Sequence, residues 1–176
     1  MIDQNRYSEW INSSFSLAPL EPFMILDAQG LGMIDVELIE EFASLNEKDQ
    51  SGEDLLKRHR HIIVSRLWVI GAYELVRSIN ERKAKMGHII EKDARKKLAT
   101  TLTNFSRIRI PLTKFQASGK EERQIARAIW FPSMGAGWKL ENGLIFSRKD
   151  LGDSLLELLR KLKEDINTKD GLVQNP

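Results

Sequence analysis

The most apolar stretch of the chain runs from Leu55 to Ile79, and its middle reads HIIVSRLWVIGAYELVR. Placed on a helix at about 100° per residue, its apolar side chains fall on nearly every face, whereas a surface helix carries them on one stripe. Ser51 supplies an N-cap with Asp54 as its capping-box partner, and no proline interrupts the segment before Lys85. This pattern predicts a long central helix over about residues 51–85 that other elements wrap.

Two later segments repeat apolar residues every three or four positions, which indicates amphipathic helices. The first begins near Ile89, just after the break at Gly87. The second begins at Ser147, which forms a capping box with Asp150. We expect the first of these helices to pack antiparallel to the central helix.

The N-terminal part of the chain gives weaker signals. Asp35 is predicted to cap a helix that runs to about Asn46. Before that helix, the short apolar run Phe23–Leu26 lies between Pro22 and a polar segment that ends at Gly30. We interpret this run as a strand or a buried extended segment.

Near residue 107 the period of the pattern changes to two. Arg107, Arg109 and Pro111 alternate with apolar residues, which indicates either an edge strand or a kinked helix that resumes beyond the proline. Two apolar runs further on are predicted to be strands, and Asn142-Gly143 is a strong hairpin signal between them.

These elements predict a mainly α (α+β) fold, in which a helical bundle surrounds the long central helix and a small antiparallel sheet lies near residues 125–147. With 176 residues the chain suits one domain. We predict a single globular domain over residues 1–166, followed by a flexible tail over residues 167–176.

Composition adds an uneven charge to this picture. Residues 1–50 hold ten acids and two bases, a net charge of −8, and residues 51–126 hold eight acids and seventeen bases, a net charge of +9. The acidic third either folds against the basic middle or leaves a basic surface free for nucleic acid. The chain has no cysteine, no secretory signal pattern and no apolar run of membrane-spanning length, so we expect a cytoplasmic protein without a membrane partner.

A polar seam runs along the central helix through His59, Arg66, Tyr73 and Arg77, whose spacing places them on one narrow sector. Two arginines beside a tyrosine and a histidine are a candidate anion or phosphate site, because guanidinium groups bind oxyanions in bidentate fashion. The structural alternative pairs Arg77 with Glu74 and Arg66 with an acid of the N-terminal third.

A second candidate lies at the end of the same helix, in the segment RKAKMGH that begins at Arg82 and ends at His88. This segment resembles the Arg-x4-6-His motif of the HEPN family of helical ribonucleases. The resemblance implies that Arg82 and His88 are catalytic residues at a dimer interface, where in that family they act on a scissile phosphodiester. Gly87 departs from the pattern, because a helix break there puts the two residues on different elements. The alternative is a solvated helix C-terminus that the histidine caps.

A basic segment follows the break and is a candidate surface for nucleic acid. It would contact phosphates without strong base readout. Its residues are Lys92, Arg95, Lys96, Lys97, Arg107, Arg109 and Lys114. No metal site is predicted, because the pair His59 and His61 lacks the spacing that lets two histidines on one helix share a zinc ion, and no motif for a cofactor is present.

The interpretation that these features favour is a non-enzymatic interaction or regulatory protein that forms a homodimer, through the central helix or through the region of Trp130 and Trp138. Its partner is then a second copy or another protein. The alternative is a nucleic-acid-binding protein that uses the basic face of residues 92–114, and a second alternative is a HEPN-like ribonuclease.

Overall fold

Five α-helices and a small sheet make up the part of the chain that the computed structural model describes, which is residues 3–45, 51–87, 90–113 and 126–173. Short 3-10 turns lie at Phe15–Leu17 and Lys83–Met86. The elements in chain order are α1 (Gln4–Ser14), α2 (Phe23–Ser44), α3 (Gly52–Arg82), α4 (Lys92–Thr113), β1 (Ala126–Phe131), β2 (Gly135–Leu140), β3 (Ile145–Ser147) and α5 (Arg148–Val173). The mainly α prediction with a small antiparallel sheet is confirmed.

The central helix is α3, which spans 31 residues. The Ser51 side chain caps it and accepts a hydrogen bond from the Asp54 amide at 3.3 Å, as the capping pattern predicts. Helix α2 runs antiparallel to α3 on one side, where the Trp68 indole donates to the Leu31 carbonyl at 2.8 Å. Helix α4 runs antiparallel on the other side, where the Arg66 guanidinium donates to the Leu112 carbonyl.

The predicted helix that ends near Asn46 is present, but its predicted start at Asp35 and the strand before it were wrong. A single helix, α2, begins at Phe23, so the run Phe23–Leu26 is its first turn and not a strand. Pro22 precedes this turn with helical backbone angles, which suits a residue whose φ is fixed near the helical value. Asp35 lies in the middle of the helix with its side chain fully buried, so it is not an N-cap. Gly30 does not end the helix, which packs against both α1 and α3.

Helix α4 decides between the two interpretations of the alternating segment. It continues to Thr113 with Pro111 inside it, so the segment is helical. Ile108 and Leu112 are buried and Ile110 is half exposed, which is the pattern of one helical face. Residue 114, the last of the predicted basic surface, lies outside the described residues.

The sheet has the strand order β1-β2-β3, and both strand pairs are antiparallel. Gly143 turns the chain between β2 and β3 with φ of +84°, which confirms the predicted hairpin at Asn142-Gly143. Ser147 then caps α5 and accepts a hydrogen bond from the Asp150 amide at 3.0 Å, as predicted. Helix α5 continues to Val173, beyond the predicted domain boundary.

The hydrophobic core lies between the five helices and the inner side of the sheet. Its largest apolar members are aromatic, and each is fully or almost fully buried. They are Trp10, Trp68, Trp138 and Phe105. Trp138 is therefore a core residue and offers no surface for a partner.

Candidate functional site

The polar seam of α3 joins this helix to α4. Arg66 donates to a backbone carbonyl of α4, and the Arg109 guanidinium lies over the Tyr73 ring at 4.9 Å from its centroid. Arg77 binds Glu74 at 2.8 Å on its own helix, which is the pairing that the structural alternative expected. His59 is exposed. The anion site stays a prediction, and these contacts give the seam a role in packing the two helices together.

Arg77 forms ion pairs with two glutamates of its own helix. Glu74 and Glu81 both accept hydrogen bonds from Arg77, and these bonds raise its pKa above the ordinary value. Glu74 also lies 3.8 Å from an Arg109 nitrogen. The ion pairs are partly exposed, so each contributes little to the free energy of folding.

The basic residues of α4 do not form one surface. Lys97 pairs with Glu157 of α5, and Arg109 turns toward α3. Arg95 donates to the Ile90 carbonyl at 2.9 Å, just before the first residue of α4. The members that are exposed on α4 are Lys92, Arg95, Lys96 and Arg107. The nucleic-acid surface stays a prediction, resting on fewer side chains than the sequence indicates.

Only one residue of the HEPN-like motif has a described position. Arg82 is the last residue of α3, while His88 lies outside the described residues. The ribonuclease site therefore stays a prediction. Among the residues that are described, no group of histidine, aspartate and glutamate is placed to hold a metal ion.

A buried ionic cluster that the sequence analysis missed ties three helices together. Asp35 of α2 accepts hydrogen bonds from the Arg6 Nε at 2.6 Å, from the Trp10 indole at 3.0 Å and from Arg148. Gly152 lets α5 approach, because a Cβ there would lie 2.6 Å from the Asp35 Oδ1. The cluster holds α1 and α5 against the middle of α2.

Burial and the neighbouring carboxylates shift the pKa values of both arginines in the cluster. Burial lowers the pKa of Arg148 below its ordinary value, and the attraction of Asp35 opposes this effect. For Arg6, burial is the largest single cause and acts to lower the pKa, but the hydrogen bonds and charges of Asp35 and Asp153 together outweigh it, so the net shift is upward. Such enclosed charges fit a structural role, because each must be paired to remain in the core.

A second buried group attaches the sheet to the helices. The His61 ring of α3 is buried and meets the Trp130 ring of β1 edge to face at 5.3 Å between centroids. Its Nδ1 lies 3.3 Å from a Glu41 carboxylate oxygen of α2. Its Nε2 lies 3.0 Å from the position that a Cβ would take on Gly135, whose φ of +74° starts β2. Burial lowers the pKa of His61, and nearby Arg148 and Arg60 act in the same direction while Glu41 opposes them.

The outer face of the α2–α3 pair is the most distinctive surface feature. We define it by four large apolar side chains that stay exposed. They are Leu26 at 65%, Met33 at 45%, Ile63 at 48% and Leu67 at 62% of full exposure. The first two lie on α2 and the last two on α3, so an apolar band crosses both helices. Scattered apolar residues are normal on a surface, but several large ones exposed on two packed helices favour an interaction site.

A cleft of about 480 Å³ opens at one end of this outer face, between α2 and the C-terminal half of α3. Its apolar walls include Met24, Leu31 and Ile34. Asp27 and Glu74 place carboxylates among the lining residues. Glycines at residues 30 and 71 add no side chain there, so the cleft stays open between the two helices.

The N-terminal half of α3 carries exposed side chains on the outer face, whereas the C-terminal half lines the cleft. Leu56 is 70% exposed, and the Arg60 side chain is 65% exposed while its tip pairs with Glu41. The outer face of α3 therefore carries exposed apolar residues and Arg60 toward its N-terminus, and toward its C-terminus it lines a cleft that includes Asp27 and Glu74, the latter also paired with Arg77.

Comparisons with known proteins give no family. No protein-family model matches the chain, and the searches of curated proteins and of solved structures find no significant match. Within the described residues, no helix combines the length and apolarity that crossing a bilayer requires.

Proposed function

We propose that this protein is a non-enzymatic interaction protein that forms a homodimer through the outer face of α2 and α3. One observation carries the proposal: the sequence of α3 predicts that the helix is buried on every side, whereas one side of it is exposed in the monomer. The sequence of α3 is apolar around nearly its whole circumference, as in a helix that is covered on every side. In the monomer, Ile63 and Leu67 remain about half exposed or more. A partner on this side would complete the burial.

The size of the outer face suits a stable contact. Helix α3 has 31 residues, so it is about 46 Å long at a rise of 1.5 Å per residue. Two neighbouring helices present a strip about 20 Å wide, which offers the roughly 800 Å² per partner that a specific interface buries. A second copy of the chain is the occupant that we propose, because the face carries both basic and acidic ends and can therefore complement itself.

The charged residues support a non-enzymatic role. The carboxylates and guanidinium groups of the outer face form ion pairs on α3, and the cluster around Asp35 is enclosed between helices. A cytoplasmic location remains part of the proposal, and the lack of cysteine in the sequence is compatible with it.

Nucleic-acid binding is the second candidate function. The exposed side chains of Lys92, Lys96 and Arg107 on one side of α4 favour it. Contacts of this kind depend steeply on salt. Mixed-sequence RNA or DNA that fails to bind even at low salt would remove this candidate and leave the homodimer proposal unaffected.

The homodimer is tested by substituting Leu67→Asp and measuring solution mass by light scattering. Leu67 is exposed in the monomer, so the fold should tolerate the change. The carboxylate enters the symmetric contact twice, and we expect the dimer dissociation constant to rise at least about a hundredfold. Ile145→Asp is the matched control, since this β3 residue is 54% exposed and lies outside the outer face. Equal losses in both variants, or none in either, would contradict the proposal.

A further inference from the structure

The two halves of the outer face of α3 are complementary to each other. Leu67 lies near its middle. On its N-terminal side the side chains of Leu56, Arg60 and Ile63 are exposed. On its C-terminal side Gly71 and Glu74 line the cleft, which has apolar walls and carboxylates. Exposed side chains and a cleft on opposite sides of one point can pair with those of a second copy about a two-fold axis.

Positions along α3 fit such an axis. Arg60 and Glu74 lie equally far from Leu67 along the helix, on opposite sides. Ile63 and Gly71 also lie equally far from Leu67 on opposite sides. When two copies of a helix pair antiparallel about Leu67, each residue faces the level of its counterpart. A basic residue then meets an acidic one, and a large apolar residue reaches the level of a glycine.

Resting on the homodimer proposed above, we infer that the two α3 helices cross antiparallel at Leu67, and that the segment from Leu56 to Ile63 of each copy docks in the α2–α3 cleft of the other. The apolar side chains of the segment cover the cleft walls. The Arg60 guanidinium lies against the carboxylates of Asp27 and Glu74. The contact occurs twice, and it gives the exposed apolar band of both copies a partner.

Charge supports this arrangement over a parallel one. A parallel pairing would bring Arg60 beside Arg60 and Glu74 beside Glu74, and like charges in close contact repel. The antiparallel pairing puts opposite charges at both ends of the contact. Electrostatic complementarity of this kind selects the orientation of partners more than it raises their affinity.

The orientation is tested by cross-linking single-cysteine variants of the full chain. The natural sequence has no cysteine, so each variant carries one reactive thiol. At a two-fold axis a residue faces its own copy, and we expect Leu67→Cys to form covalent dimers rapidly on mild oxidation. Glu164→Cys is the control, because this residue is exposed on α5, away from the outer face. Cross-linking at Glu164→Cys that is as fast as at Leu67→Cys would overturn the inference.

A charge-reversal series tests the pairing itself. Arg60→Glu alone and Glu74→Arg alone should each weaken the dimer about tenfold, because each brings like charges together across the contact. The double variant should dimerise more tightly than either single variant, because it restores opposite charges across the contact, although the pairs with Glu41 and Arg77 within each copy stay broken. A dimer that Leu67→Asp dissociates but the double variant does not restore would overturn this orientation and leave the homodimer standing. A protein that is monomeric throughout would contradict the homodimer itself.

Discussion

Asp35 of α2 joins α1 and α5 through buried hydrogen bonds. It accepts hydrogen bonds from two arginines and a tryptophan while its side chain has no solvent exposure. Removing one partner of a buried ion pair leaves the other charge uncompensated, which costs more than the pair itself contributes. The cluster therefore matters mainly as a set of groups that must be kept together.

We expect Asp35→Asn to lower the free energy of unfolding by about 3 kcal/mol, because Arg148 then stays buried without a counter-charge. Urea denaturation at neutral pH measures the change. Asp153→Asn serves as the control. Its carboxylate also binds Arg6 but is 40% exposed, so we expect a loss below about 1 kcal/mol. Similar losses in the two variants would mean that burial of the cluster does not determine its contribution.

His61 makes stability depend on pH. Because burial lowers its pKa in the folded protein, the folded chain binds the proton more weakly than the unfolded chain does. The stability that neutral His61 provides is present above the ordinary histidine pKa of about 6.5 and falls as the pH drops below it. The slope for one proton cannot exceed about 1.4 kcal/mol per pH unit.

The measurement compares the natural protein with His61→Gln by urea denaturation between pH 7.5 and 5.5, a range in which few carboxylates titrate, as their ordinary pKa values of about 4 show. We expect the free energy of unfolding of the natural protein to fall with pH relative to that of the variant. Parallel curves would show that His61 titrates alike in both states.

At the residue scale, sequence reasoning identified caps and missed the buried charges. The N-caps Ser51 and Ser147 are local, since each side chain binds an amide within the same turn. The bond between Asp35 and Arg148 joins residues 113 positions apart. No spacing rule connects such residues, because their distance depends on how the helices pack.

At the scale of elements, the errors lie where local signals compete with packing. Polar residues and Gly30 suggested a break inside α2, yet the helix is continuous because it packs against both α1 and α3. Pro111 left two interpretations of its segment open, and the buried positions of α4 decide for a helix. The long helix α3 and the hairpin at Gly143 were predictable, since their patterns need no tertiary information.

Two glycines of α2 give a matched test of helix packing. A Cβ added at Gly30 would meet no atom within 4 Å, so Gly30→Ala should stabilise the fold by up to about 1 kcal/mol through helix propensity. At Gly32 a Cβ would lie 2.5 Å from Trp10 side-chain atoms, so Gly32→Ala should destabilise it by about 1–3 kcal/mol.

Both alanine variants are best made together with Leu67→Asp, so that dimer formation does not enter the unfolding curves. Chemical denaturation then reports the free energy of the monomer. Changes of the same sign in the two variants would contradict the close contact between Trp10 and α2.

At the scale of the whole molecule, one side of α3 is exposed although the sequence of the helix predicts burial there. Its apolar residues predict burial all round, while the outer face leaves Leu67 and Ile63 in contact with solvent. Sequence reasoning pointed to an interaction through the central helix but could not say which side takes part. That side depends on where α2 and α4 pack, since these helices cover the flanks of α3 and leave the outer face open.

The central claim is that the chain is a homodimer held by this face, and sedimentation equilibrium tests it most directly. The natural protein should sediment with twice the chain mass of 20.2 kDa, and Leu67→Asp should sediment with the mass of a single chain at the same concentration. A natural protein that keeps the mass of a single chain up to the highest concentration it reaches would contradict the account.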